Sequence, residues 1–92
     1  MATYRVMSWR DIPTQVKATD DSGATASVQL PGFFLKEVDR VAMAEGIIES
    51  DAYLEAWAWS EPQERDGDAQ AVAAAVAVEV ADAWRAANEA TG

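Results

Sequence analysis

The chain has 92 residues, half of them apolar and a quarter charged, and carries a net charge of −9 at neutral pH. That length suits a single small domain that buries about 60–65% of the surface its unfolded form exposes. Cysteine and histidine are both absent. This excludes disulfides and thiolate metal sites, together with the commonest general base and the commonest transition-metal ligand.

The charge is unevenly placed. Residues 1–30 set Arg5, Arg10 and Lys17 against Asp11, Asp20 and Asp21, whereas residues 31–92 hold four cations against thirteen anions. Such a field repels phosphate backbones and anionic lipid, so neither nucleic acid nor membrane is an expected partner. No apolar run approaches the roughly 20 residues that span a bilayer. Met1–Arg5 lacks the layout of a signal peptide and passes straight into strand-like alternation, so a cytoplasmic location is expected.

Residues 3–9 are rich in β-formers, with Tyr4, Val6 and Ser8 on one face and Arg5, Met7 and Trp9 on the other. A corner follows at Arg10-Asp11-Ile12-Pro13. Pro13 drives Ile12 out of helical conformation and cannot donate to a ladder, so pairing is expected to restart after it. Residues 14–19 read as a second strand, with Val16 and Ala18 inward and Gln15, Lys17 and Thr19 outward. Asp20-Asp21-Ser22-Gly23 is a turn. Residues 24–30 fit either a short edge strand or a linker.

Pro31 suits the first position of a helix that runs to about Glu45, with Phe34, Leu35, Val38, Val41 and Ala42 on one face. Gly46 is placed to end it in a left-handed cap. In residues 52–59, Tyr53, Glu55, Trp57 and Trp59 alternate with Leu54, Ala56 and Ala58, which predicts a strand, although Ser50-Asp51 could cap a short helix. Residues 61–67 read as a polar, turn-rich connection. Asp68 then caps a helix over about 69–88, with Val72, Val76, Val80 and Trp84 at four-residue steps beside small alanines.

The expected architecture is α+β: a two-layer sandwich in the order β-β-α-β-α, with a small antiparallel sheet of about three strands and two helices on one face. The other sheet face is left uncovered. Trp57 and Trp59 either lie on that open face, as a binding surface or subunit interface, or lie beneath the helices as core. Arg10 and Asp11 fit two readings. Arg10 grips an anionic ligand or partner while Asp11 orients it, or an arginine–carboxylate bridge pins the corner to the acidic second half. Glu61, Glu64, Asp66 and Asp68 match no calcium loop and are expected to be solvated, so no metal and no cofactor is expected. No serine has an imidazole to activate it, and no catalytic residue can be nominated.

Four segments together carry a resemblance: Trp9-Arg10-Asp11-Ile12-Pro13, Gln15-Val16-Lys17-Ala18, Gln29-Leu30-Pro31, and Asp51-Ala52-Tyr53-Leu54-Glu55-Ala56-Trp57 with Trp59. In that order they resemble the small bacterial domain labelled "virulence factor", over roughly residues 3–88. The family resembles a segment of larger conserved virulence factors and also occurs as free-standing proteins of this size, encoded beside one-carbon and corrinoid methyl-transfer proteins. The likeness implies positions and no chemistry: Trp9, Arg10, Asp11, Pro13, and the Tyr53–Trp59 stretch with Tyr53, Trp57 and Trp59 as binding candidates. Three expectations follow. The chain is a non-catalytic accessory domain that docks on a protein partner through a Trp-bearing sheet face and the Trp9–Pro13 corner. Alternatively it is a small enzyme subunit or ligand carrier linked to one-carbon metabolism, with Arg10 as anion anchor. In the third, it is a homodimer whose sheet faces stack.

Overall fold

A two-residue turn organises the sheet. In the computed structural model, which describes residues 1–89, β1 (Ala2–Trp9) and β2 (Ile12–Asp20) are joined only by Arg10-Asp11. Trp9 pairs with Ile12 to close the hairpin. β3 (Thr25–Gln29) adds to the far side of β2, so of the two forms that fit residues 24–30 the chain adopts the edge strand. The other edge of β1 is shared end to end. β4 (Trp57–Trp59) pairs with Met7–Trp9, and β5 (Gln63–Arg65) pairs with Ala2–Tyr4. Every pair is antiparallel.

The helices are α1 (Gly32–Glu45), α2 (Asp51–Glu55) and α3 (Ala69–Glu89). The expected α+β class and antiparallel sheet are present. The expected three strands and two helices are corrected to five and three among the described residues. Residues 52–59 are not one strand, because capping overrides alternation at their start. The Ser50 hydroxyl accepts from the Tyr53 N–H at 3.4 Å and donates to the Ile47 carbonyl at 2.7 Å, which secures one helical turn before the tryptophans. The polar stretch 61–67 also holds β5, since the exposed edge of β1 supplies partners that local turn propensity does not foresee. Between β4 and β5, Ser60 repairs the ladder. Its N–H donates to the Val6 carbonyl at 2.8 Å and its hydroxyl accepts from the Val6 N–H at 2.9 Å.

A bulge sets which side chain faces where. The register slips between Met7 and Ser8, so that Ser8 pairs with Pro13 while Met7 pairs with Gln15. Thr14 is the extra residue, and its buried hydroxyl donates to the Met7 carbonyl at 3.1 Å. Pairing therefore begins before Pro13, not after it, and the bulge absorbs the irregularity there. Beyond it, Val6 faces Val16, Tyr4 faces Ala18, and Val28 and Ala26 continue the row on β3. On this face lies α3, with Val72, Ala73, Val76, Ala77 and Ala81 buried at helical spacing. The small alanines let the helix approach closely.

The start of α3 is held from two sides. Asp68 accepts from the Ala71 N–H at 2.8 Å, as expected of a cap, and Asp20 accepts from the Ala69 N–H at 3.0 Å. Helix α1 buries Phe34, Val38 and Ala42, while Leu35 and Val41, expected on the same face, are exposed and half-buried at its borders. It ends at Gly46, whose φ of 71° and bonds to the Ala42 and Met43 carbonyls make the expected left-handed cap. Phe33 and Phe34 pack edge-on to Trp84, tying α1 to α3. The helices do not all share one face. Trp9 has the parity of Arg5 and Met7, pointing away from α3, yet it is fully buried, with the Tyr53 ring 5.9 Å away. The segment leaving α1 wraps the hairpin end of the sheet and covers it there.

Candidate functional site

The corner is a closed network. Arg10 has φ of 56° and is the one non-glycine residue at positive φ among those described. A left-handed conformation crowds an L side chain, and it persists only where surrounding contacts enforce it. The contacts here are clear. The Arg10 N–H donates to the Ala56 carbonyl at 3.1 Å, and its guanidinium lies 4.5 Å from the centre of the Trp9 ring. Both arms of its fork reach Glu45, at 2.5 and 2.8 Å. Hydrogen bonding to Arg10 holds the Glu45 carboxyl below its ordinary range, and the same bond raises the Arg10 value. Asp11 is exposed and Pro13 buried.

The aromatics divide by depth. Trp9 is at 0% exposure, with its indole N–H donating to the Tyr53 carbonyl at 3.0 Å. Tyr53 stands edge-on to Trp57 at 6.1 Å, and both are half-buried. Trp59 is 39% exposed. Register places Trp59 beside Met7, on the face turned away from α3. Trp57 shares that face but lies under Tyr53, so the structure brings Trp9, Arg10, Tyr53 and Trp57 together and sets Trp59 apart on the open sheet.

Around Trp59 lies a second constellation. Thr3, Arg5, Lys17 and Thr19 line a cavity of about 280 Å³ with it. Arg5 and Lys17 are direct cross-strand partners, as are Thr3 and Thr19. Alternation alone predicts Lys17 and Thr19 outward and Arg5 on the face of Met7 and Trp9. The sequence did not tell that the two cations meet, because the pairing depends on the bulge at Thr14. Among the described residues, no three carboxylates gather as a metal site. The 61–68 loop instead supplies β5 and the cap of α3.

A family model described as "Virulence factor" matches residues 7–88. The chain belongs to this virulence factor family. The match takes in the corner, the wrapped segment and the tryptophan strand, all the positions that the resemblance implied. No curated protein and no solved structure matches the chain. No helix among the described residues is long and apolar enough to cross a membrane.

Proposed function

We propose that this member of the virulence factor family is a non-catalytic interaction domain. It docks a protein partner through the sheet face that α3 leaves bare, with the Trp9–Pro13 corner as the rigid end of that face. One observation carries the reading. Trp59 is exposed on the edge strand β4, beside Met7 on the uncovered sheet face, while Trp9, Trp57 and Trp84 are all buried or half-buried. Tryptophan exposed on a largely polar face is a residue type that often anchors an interface. The corner fits a framing role, since its arginine already has both arms on Glu45.

The test is a photo-reactive residue placed at Gln15, on the open face, or at Gln70, exposed on α3, in the native host. Adducts with a second protein from Gln15 but not Gln70, lost on Trp59→Ala, are expected. Equal adducts from both positions would sink the reading. Adducts formed only between copies of this chain would replace it with a dimer of stacked sheets.

A further inference from the structure

We infer that the cavity beside Trp59 is a binding site for a small organic anion, a carboxylate or phosphate monoester joined to a flat apolar group. Arg10, Arg40 and Arg65 each form an ion pair, with Glu45, Glu37 and Glu79 respectively. Arg5 and Lys17 form none among the described residues, although the chain has sixteen acidic side chains. They also stand directly opposite each other across the β1–β2 ladder, where like charges repel. Two uncompensated cations held side by side on an uncovered sheet, in a strongly acidic chain, leave room for an anion that the protein itself does not provide.

The surroundings define the ligand. Arg5 offers a planar fork for two oxygens, Lys17 a point charge, and Thr19 a hydroxyl donor. Trp59 forms an exposed wall suited to stacking on a ring. A volume of about 280 Å³ holds one small molecule and no more. Glu64 is paired opposite Thr3 at the rim, so the anion belongs between Arg5 and Lys17 and away from Thr3. Size is decided by the remaining charge. At physiological salt, fields are screened beyond about 8 Å, so a compact anion feels the two local cations. A nucleic acid, an anionic membrane or an acidic protein surface would extend past them and meet the excess carboxylates of the rest of the chain.

This goes beyond the docking reading, because it concerns the isolated chain and needs no partner; either proposal can fail alone. Amide and indole resonances of the purified protein are followed while phenyl phosphate, benzoate or inorganic phosphate is added. Saturable shifts are expected at Thr3, Arg5, Lys17 and Thr19 and at the one indole that Trp59→Phe removes. Phenyl phosphate or benzoate should bind more tightly than inorganic phosphate, and the better of the two names the anionic group. Arg5→Gln and Lys17→Gln should each weaken binding about tenfold. Both variants should melt at the same temperature as the parent or higher, since each relieves a repulsion. Shifts of equal size at Lys36 and Arg85, shifts that persist in the double variant, or no saturation with any of the three probes would overturn the proposal.

Discussion

Arg10 shows how one side chain can hold a backbone where it would not otherwise go. Its φ of 56° suits glycine, yet arginine occupies it because the guanidinium is fixed between Trp9 and Glu45. Arg10→Ala removes those contacts and keeps the crowded backbone, whereas Arg10→Gly removes them and relaxes it. Glycine is therefore expected to unfold at the higher urea concentration of the two, the reverse of the order found where φ is negative. Both should fall below the parent. Asp20 is a second residue with several duties. It accepts from the Ser22 hydroxyl and N–H, the Ala24 N–H and the Ala69 N–H. The Ser22 hydroxyl, followed by the Ala69 N–H, brings its carboxyl from the ordinary 3.8 down to about 2. Its folded value lies below its unfolded one, so its stabilising contribution is complete above about pH 4 and drains away as pH falls towards 2. Acid titration followed by circular dichroism should show a shallower loss of stability over that window in Asp20→Asn, from a lower starting point.

Among the elements, α2 has the largest effect for its length. Five residues place Tyr53 over Trp9 and Trp57, and the turn is started by the Ser50 hydroxyl. Ser50→Ala should cost about 0.5–2 kcal/mol by urea unfolding, the usual range for a lost cap. Acrylamide should then quench the tryptophan emission more readily, since the cover of Trp9 loosens. An unchanged quenching constant would mean that α2 is held by packing alone. In the sheet, the facing Arg5 and Lys17 work against the hairpin. Lys17→Glu turns that repulsion into attraction, and a higher melting temperature is expected, by the equivalent of about 0.2–1 kcal/mol.

For the whole molecule the excess of negative charge dominates. Thirteen of the sixteen acidic side chains lie in residues 31–92, with only four cations among them. Self-repulsion of this kind is screened by salt, so the melting temperature is expected to rise between low and about 0.5 M sodium chloride, then level off. A fall over that range would show that the ion pairs of Arg10 and Arg65, which bind α1 to the corner and α3 to β5, outweigh the repulsion. The shape follows from the same economy of material. One long helix covers one sheet face, a short wrapped segment covers the hairpin end of the other, and the rest of that second face stays open.

Much of this was legible in the residues themselves. The inward row of Val16 and Ala18, the Phe34, Val38 and Ala42 stripe of α1, the Gly46 cap, the Asp68 cap and the alanine-rich α3 all follow from local periodicity and backbone preference, which act within a few residues. The absence of histidine and cysteine bounded the chemistry in the same way. What local signals could not decide was pairing. β5 exists because β1 has a free edge, and Trp9 is buried because Tyr53, 44 positions away in the chain, folds onto it. Arg5 meets Lys17 only because a bulge at Thr14 shifts the register by one residue, and with a side-chain period of two that single step decides which groups face each other. Composition and periodicity determined the class of this protein and its longer elements; its short strands, and the surface that joins its exposed tryptophan to its unpaired cations, came only through tertiary pairing and register.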